Sequence, residues 1–174
     1  PIWQRNIGDN NGASWNRGRY ENLDMSWDGK YVVAGSHNRN YDNLVLFEAS
    51  KSNVPLWIYQ ATYSSEFTGV SITPNGSYVS ALHANSVYYF SKNSSIPINS
   101  WNIPHYLYKT QISYDGKAII TLSNNNDMYF IHTNSSSTAY SAVATCCDYD
   151  STSLSLNGYS SVAFRSNSIR LYNN

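Results

Sequence analysis

Short hydrophobic runs alternate with polar turns along the whole chain, and one arrangement of them recurs. A hydrophobic residue, then Ser or Thr, one further residue and Asp-Gly or Asn-Gly precede a second apolar run. The arrangement occurs four times, with its glycines at Gly29, Gly76, Gly116 and Gly158. Their separations of 47, 40 and 42 residues are close to the length of about 40–45 residues that one propeller blade occupies. The pattern predicts four copies of one supersecondary unit.

Each Asp-Gly or Asn-Gly lies between two β-prone runs, which is the strongest local signal for a hairpin with a type I′ turn. These two runs are predicted to be the first and second strands of each unit. Third runs follow at 44–47, 87–90, 128–131 and 169–172, and fourth runs at 55–59, 97–101 and, more weakly, 138–140. Two of the fourth runs begin with proline, which is tolerated mainly at a sheet edge because it lacks an N–H. The fourth strand is therefore predicted to be the outermost.

The fourth unit has no fourth run, whereas Pro1, Ile2 and Trp3 repeat the Pro-Leu-Trp pattern of residues 55–57. Pairing the N-terminal strand with the last unit would remove two exposed sheet edges. We therefore expect residues 1–5 to complete the last blade. The expected fold is all-β, a four-bladed β-propeller of four-stranded antiparallel blades in a single domain over residues 1–174. The expected blades cover about 20–60, 66–103, 107–143, and 150–174 together with 1–5.

The residues that form these units resemble a known repeat. Ser-Trp-Asp-Gly-Lys-Tyr-Val-Val-Ala-Gly-Ser at 26–36, a third strand ending in Phe47 and Pro-Leu-Trp at 55–57 resemble the repeat of WD40-like and quinoprotein-like β-propellers. The resemblance covers essentially the whole chain and implies a propeller fold. Such propellers usually have more than four blades, which leaves either a compact four-bladed ring or a piece of a larger assembly. The cofactor-bearing quinoproteins have a much larger ring, so the resemblance implies no cofactor here.

The alternation within the runs also predicts which side chains form the core. The predicted core residues are Leu23, Met25, Val33, Leu44, Leu46, Val70, Ile72, Val79, Leu82, Ile112, Ile119, Leu122, Phe130, Leu154, Val162, Phe164 and Leu171.

Composition narrows the possible partners. Charged residues make up 13% of the 174 residues, with 11 basic and 11 acidic side chains, so no net field attracts nucleic acid or an anionic membrane. No apolar stretch reaches the roughly 20 residues that a membrane span requires. The Asn-x-Ser/Thr sequons at Asn75, Asn93 and Asn134 fall in predicted turns, where they would accept glycans in a secreted protein. We therefore expect an extracellular or cell-surface protein.

One face of the predicted propeller collects candidate ligand-binding residues, because the fourth-to-first and second-to-third connections share it. The candidates are Arg17, Arg19, His37, Arg39, Tyr41, Glu66, His83, His105, Tyr106, Asp148 and Asp150. Aromatic rings, arginines and carboxylates together suit a glycan or a peptide, which would be held by stacking and by hydrogen bonds. The alternative is that many of these residues only form turns and a solvated rim.

Disulfide formation, metal binding and catalysis have weaker support in the sequence. Cys146 and Cys147 are adjacent and would form either a strained vicinal disulfide or two ordinary thiols. Asp148 and Asp150 would suit a cation through their oxygens, but two aspartates so close together are more typical of a surface turn. No zinc spacing, nucleophile elbow, phosphate-binding loop or glycosidase carboxylate pair is present. The sequence predicts no metal, no cofactor and no catalysis.

Three functions therefore remain to be compared. The first is a non-catalytic, secreted binding or adhesion module that recognises a glycan or protein partner through the loop face. The second is a structural subunit of an extracellular filament or oligomer, in which the N-terminal strand completes a blade of another copy. The third is an enzyme or a fragment of a larger propeller enzyme.

Overall fold

Fifteen strands joined by turns and loops make up the part of the chain that the structure describes, with no helix in that part. The structure is a computed structural model, and it describes residues 23–36, 43–51, 53–61, 66–125, 127–135, 141–144, 151–154, 160–165 and 168–173. For Asn43 and for the described residues between 141 and 173, the description covers the backbone alone.

The strands form four antiparallel sheets, numbered in chain order. Sheet 1 contains β1 (Leu23–Met25), β2 (Tyr31–Gly35), β3 (Asn43–Glu48) and β4 (Trp57–Gln60). Sheet 2 contains β5 (Phe67–Ile72), β6 (Tyr78–His83), β7 (Ser86–Ser91) and β8 (Asn99–Asn102). Sheet 3 contains β9 (Leu107–Ile112), β10 (Ala118–Ser123), β11 (Met128–His132) and β12 (Ser141–Ala144). Sheet 4 contains β13 (Ser151–Leu154), β14 (Ser160–Arg165) and β15 (Ser168–Asn173).

Each sheet is a meander whose strands pair in sequence order, so the first and last strands are its edges. The first strands contact one another in succession, β1 with β5, β5 with β9, and β9 with β13. The sheets are therefore stacked side by side around their first strands, and the fourth strands of sheets 1 to 3 lie on the outside. This confirms the all-β antiparallel prediction and the outer position of the strands after Pro55 and Pro97.

The recurring Ser/Thr-x-Asp/Asn-Gly sequence builds the turn between the first and second strands. In sheet 1, Ser26 Oγ donates to Asp28 Oδ1 at 2.6 Å and accepts from the Tyr31 N–H at 3.0 Å. Asp28 Oδ1 also accepts from the Lys30 N–H at 3.0 Å. The turns at 73–78 and 113–118 repeat all three bonds. Two short polar side chains thus satisfy the turn backbone.

The predicted type I′ turn is wrong, although the hairpins themselves are present. Gly29, Gly76 and Gly116 have positive φ, but the preceding Asp or Asn residues do not. The Ser26 N–H donates to the Tyr31 carbonyl at 2.9 Å, which leaves four residues between this pair rather than two. Because the Ser/Thr hydroxyl and the Asp/Asn carboxyl or amide oxygen take over the turn bonds, only the glycine has to be left-handed.

The hydrophobic core lies between neighbouring sheets. One cluster joins sheets 1 and 2 through residues such as Val33, Leu46 and Val79, and a second joins sheets 2 and 3. Most of the predicted core residues with described side chains are buried, but Leu23 and Met25 are 67% and 55% exposed. Their assignment to the core is therefore wrong, because the face of sheet 1 on which they lie is uncovered at this edge.

Some predictions fall on residues outside the described part of the chain. The strand predicted at 138–140 is one of them, and the strand described nearby is β12. Residues 1–5 also lie outside, so their role in closing the last blade stays a prediction, as does a ring of four blades. The single-domain assignment and the predicted core residues in sheet 4 stay predictions too.

Candidate binding surfaces

The meander gives the stacked sheets two faces with different connections. The loop face carries the second-to-third and fourth-to-first connections, and includes the link from β8 to β9. The turn face carries the Ser/Thr-x-Asp/Asn-Gly turns and the third-to-fourth connections. The sequence analysis placed the binding site on the loop face.

Only part of the predicted loop-face site falls on described residues. Glu66 directly precedes β5, His83 ends β6, and His105 and Tyr106 lie between β8 and β9. The other predicted residues lie outside the described part: Arg17, Arg19, His37, Arg39, Tyr41, Asp148 and Asp150. Whether they converge with the four described residues stays a prediction.

His83 lies inside the structure at this face. Its side chain is buried, and the residue is 3% exposed. Its ring centroid lies 5.0 Å from that of Phe67 and 6.5 Å from that of Tyr88. His83 therefore packs at the loop-face end of the interface between sheets 1 and 2, where its ring is not presented to solvent.

His105 joins a small polar network around a buried carboxylate that the sequence analysis did not single out. His105 Nε2 lies 3.7 Å from Asp127 Oδ2. The same oxygen accepts from Tyr129 Oη and Asn125 Nδ2, both at 3.2 Å. The Asp127 N–H donates to Ser123 Oγ. A buried carboxylate needs such donors, so the network holds the β10–β11 connection against the β8–β9 link while leaving His105 partly exposed.

The turn face presents an aromatic pair that the sequence analysis missed. Trp27 is 79% exposed and Tyr114 is 45% exposed. Their ring centroids are 6.1 Å apart, with the ring planes 71° from parallel. Trp27 belongs to the turn of sheet 1 and Tyr114 to that of sheet 3, while the Trp27 N–H donates to the Pro74 carbonyl in the turn of sheet 2 at 3.0 Å. The turns of three sheets thus meet at this pair.

A signal for this pair was present in the repeat. The residue between Ser/Thr and Asp/Asn is Trp27, Pro74, Tyr114 or Leu156. Proline is a common turn residue, but Trp, Tyr and Leu are not among the residues that dominate turns, so a large aromatic or aliphatic side chain in three of the four copies is unusual. The two members with described aromatic rings contact each other and remain exposed.

Two carboxylates flank the aromatic pair. The Ser26 hydroxyl and then the Lys30 N–H, both bonded to Asp28, lower the pKa of that carboxyl below its ordinary value. Partial burial acts to raise the pKa of Asp115, but bonds from the Lys117 N–H and the Ser113 hydroxyl outweigh it and lower the pKa. Both groups are therefore charged at neutral pH, and each follows one of the two aromatic residues directly in the sequence.

The three sequons also lie on the turn face. Asn75 is in the turn of sheet 2, while Asn93 and Asn134 follow the third strands of sheets 2 and 3. All three side chains are exposed. Asn75 Oδ1 accepts from Thr73 Oγ1 and the Ser77 N–H, so the turn network holds this side chain by its oxygen.

Neither a metal cluster nor a membrane helix occurs in the described part of the chain. No group of three or more His, Cys, Asp or Glu side chains there could hold a metal ion. No helix there has the length and hydrophobicity to cross a membrane. Cys146 and Cys147 lie outside the described residues.

Comparison with solved structures identifies the architecture. The β-propeller domain of Cps50 (Swd1) from Myceliophteria thermophila superimposes with a TM-score of 0.73 at 8% identity, over 91% of this chain and 53% of that one. Kuenenia stuttgartiensis hydrazine synthase superimposes with a TM-score of 0.65 at 15% identity, over 92% of this chain and 48% of that one. This chain has a β-propeller fold. No family model and no curated protein matches the sequence.

The propeller spans about half the length of each of these two solved chains. At identities this low, the likeness concerns the fold and not the chemistry. Inferences about function therefore have to come from the residues on the two faces of the propeller.

Proposed function

We propose that this propeller is a non-catalytic binding module that holds a protein partner on its turn face, at Trp27 and Tyr114. The observation that carries the proposal is the exposure of two large aromatic side chains that touch each other across converging turns. The fold does not need either ring in its core. A propeller fold is consistent with protein interaction, and this pair is the most apolar feature of the turns.

The physical reason is the free energy available from covering the rings. An aromatic side chain buries about 150–250 Å² when it is fully covered, and each Å² of apolar surface removed from water contributes about 25 cal/mol. Tryptophan and tyrosine are accordingly enriched among the residues that dominate interfaces. With charged Asp28 and Asp115 beside the rings, the surface has an apolar centre and a polar rim, as protein interfaces do.

The partner that fits is a peptide segment with an apolar side chain placed against the rings. The test uses a phage library of random linear peptides, panned on the wild-type protein and on Trp27→Ala. Peptides enriched on the wild type should bind Trp27→Ala roughly 30-fold more weakly, the loss typical of an interface hot spot. Ile58 is 47% exposed on β4, the outer strand of sheet 1, and Ile58→Ala is the matched control that should bind normally.

Two results would contradict the proposal. One is that no peptide is enriched reproducibly. The other is that the enriched peptides bind Trp27→Ala and Tyr114→Ala as tightly as they bind the wild type. Both substituted side chains are exposed, so the variants should unfold at the wild-type temperature, which a thermal melt checks.

A glycan ligand at the cell exterior is the second candidate, and the exposure of all three sequon asparagines favours it. Aromatic rings also stack on the apolar faces of sugars, and the loop-face candidates, His105 and Tyr106 among them, would add hydrogen bonds. A glycan array probed with wild type, Trp27→Ala and His105→Ala would separate the two faces. Expression in a secretory host, followed by mass measurement before and after enzymatic deglycosylation, would test glycans at Asn75, Asn93 and Asn134.

The finer architecture belongs to the same proposal. Sheet 4 has three described strands where the other sheets have four. We propose that Pro1, Ile2 and Trp3 add to β15 as its fourth strand, because they repeat the sequence that begins the fourth strand of sheet 1. A disulfide trap between a cysteine placed in residues 1–4 and one in β15, made in a background without Cys146 and Cys147, would test the pairing.

A further inference from the structure

Most charged side chains among the described residues of the turn face lie beside a charge of opposite sign. In the connection that follows β3, Lys51 Nζ is 2.8 Å from Glu48 Oε2. In the turn of sheet 3, Lys117 Nζ is 3.5 Å from Asp115 Oδ2. Opposite charges this close largely cancel each other at a distance, so these pairs offer little net charge to a ligand.

Lys92 is the exception in the described part of this face. Its ammonium has no carboxylate partner there, whereas Asp28 is stabilised as a carboxylate by hydrogen bonds and by the positive charge of Lys30. Lys92 Nζ instead lies beside an aromatic ring, 4.8 Å from the ring centroid of Tyr31 and 3.4 Å from Tyr31 Oη. One positive charge is therefore uncompensated where sheets 1 and 2 meet.

The fold does not require a lysine at this position. The N–H of Lys92 donates to the Ser77 carbonyl at 2.9 Å, and the N–H groups of Ala49 in sheet 1 and Thr133 in sheet 3 donate to the corresponding carbonyls. Three copies of the repeat thus have three different side chains at one backbone position. Sheet 2 differs from the other two sheets in adding a positive charge there.

The structure also holds this lysine in place. Its carbonyl accepts from Trp57 Nε1 of sheet 1 at 2.9 Å, and its side chain lies against the buried ring of Tyr31. Lys92 is still partly exposed, so a ligand can reach it. A lysine that is already ordered loses less conformational entropy on binding than a mobile one.

The turn of sheet 2 lies between Lys92 and the aromatic pair. The Trp27 N–H donates to the Pro74 carbonyl, and the Lys92 N–H donates to the Ser77 carbonyl. Pro74 and Ser77 are three residues apart in one tight turn, and such residues lie within about 7 Å of each other. An extended peptide advances about 3.3 Å per residue, so a few residues of it would reach from the rings to the ammonium.

We propose that the peptide segment held at Trp27 and Tyr114 carries an acidic side chain that pairs with Lys92. The pairing rests on the proposed function and narrows the chemistry of the partner. It requires an apolar residue against the rings and an aspartate or glutamate about two to four residues away. Lys30 Nζ, 5.6 Å from the ring centroid of Tyr31, adds a second positive charge nearby, so a basic peptide would meet like charges.

The test uses the peptides that panning enriches on the wild-type protein. They should contain an acidic residue near their apolar residue. Replacing that acid by its amide should weaken binding roughly three- to fivefold, the upper part of the range for exposed ion pairs. Lys92→Thr has the residue that sheet 3 has at this position, so the variant should fold normally. It should weaken the acidic peptide by the same factor and leave the amide peptide unchanged.

The two proteins and two peptides form a double-mutant cycle, which isolates the contact between Lys92 and the acid. The coupling should shrink as the salt concentration rises from about 0.05 M to about 0.5 M, because salt screens exposed charges. Lys92→Arg keeps the charge and should keep most of the coupling. Lys117→Thr is the matched control: it removes a lysine of the same face that is already paired with Asp115, and its coupling to the acid should be close to zero.

The outcomes separate this pairing from the proposed function. Peptides that lose affinity on Trp27→Ala but bind Lys92→Thr as tightly as the wild type would overturn the pairing and leave the proposed function intact. Trp27-dependent peptides without an acidic residue would do the same. Peptides that bind Trp27→Ala as tightly as the wild type would overturn both.

Discussion

Sheets 1 and 2 have the same repeat, the same turn network and the same strand order, yet their first strands differ in how far their apolar side chains are covered. In sheet 2, Val70 and Ile72 are buried against the preceding sheet, whereas the aligned Leu23 and Met25 of sheet 1 are largely exposed. The hydrophobic repeat specifies which residues are available for an interface. It does not specify whether a neighbouring sheet is present to use them. Repeat proteins have this property because each unit buries its apolar surface only by stacking on the next one.

The largest expected effect comes from removing a buried side chain at a filled interface. Phe90 packs between sheets 1 and 2 with no exposed surface, so Phe90→Ala should lower the free energy of unfolding by about 3–5 kcal/mol. The comparison at an exposed position is Leu23→Ala in the first strand of sheet 1, which should change the free energy of unfolding by less than about 0.5 kcal/mol. Urea unfolding of both variants measures the two changes in the free energy of unfolding. Equal losses would mean that Leu23 is covered in a single chain.

Turn glycines should show a smaller difference of the same kind. Gly29→Ala and Gly76→Ala both place a Cβ atom at positive φ, which costs about 1–2 kcal/mol. At Gly76 the new methyl group also meets the buried ring of Tyr31, which adds about 1–3 kcal/mol of overpacking. Urea unfolding should therefore rank Gly76→Ala as clearly the more destabilising. The comparison fails if Gly29→Ala is as harmful as Gly76→Ala.

The two described interfaces, between sheets 1 and 2 and between sheets 2 and 3, each contain a tyrosine that resists ionisation. Burial, followed by the neighbouring Tyr88, raises the pKa of Tyr59 to about 12, and burial raises the pKa of Tyr89 to about 12. In the unfolded chain, tyrosine ionises near pH 10. These two groups therefore leave stability unchanged below about pH 10 and reduce it as the pH rises towards 12, because the unfolded chain loses its protons first.

The double variant Tyr59→Phe, Tyr89→Phe removes both ionisations. Its melting temperature should fall less steeply between about pH 10 and pH 12 than that of the wild type. Thermal melts across this range measure the slope. An unchanged slope in the double variant would show that other groups control the alkaline transition.

The smallest expected effect is a loss of stability at low pH. It should come from the turns of sheets 1 and 3, which contain an aspartate, and not from the turn of sheet 2, which contains an asparagine. The pKa values of Asp28 and Asp115 are lowered, so both carboxylates stabilise the fold above their unfolded value near pH 3.8. That contribution is lost as the pH falls through their folded values. Asn75 makes the same bonds in sheet 2 without a charge. The double variant Asp28→Asn, Asp115→Asn should therefore lose less stability between pH 5 and pH 2 than the wild type, and equal acid melts would contradict this.

Much of the fold could be predicted from the sequence because period-two alternation and the spaced Asp-Gly and Asn-Gly pairs are local signals. These signals predicted the positions of the hairpins, and the prolines predicted which strands are outermost. The turn type was wrong because the Ser/Thr hydroxyl competes for the backbone bonds, which glycine spacing alone does not reveal. Leu23 and Met25 were placed in the core because alternation identifies the apolar face of a strand without saying what covers it.

The candidate site was harder to predict. The predicted site consisted of polar and aromatic loop residues. In the structure, however, the side chain of His83 is buried, and His105 lies beside the carboxylate of Asp127. The apolar turn position occupied by Trp27 and Tyr114 was overlooked, because exposure depends on tertiary structure. That these two turns come together across sheet 2 follows from the stacking of the sheets and not from their separation along the chain.

Amide hydrogen exchange followed by NMR on dilute, monomeric protein tests the central claim most directly. The N–H groups of Ile72 and Ile112 donate to the preceding sheet, whereas that of Met25 donates to the exposed carboxylate of its own neighbour Asp24. We predict slow exchange at Ile72 and Ile112 and fast exchange at Met25. Equally slow exchange at all three positions would show that the Met25 N–H is as well protected as those that bond to a preceding sheet.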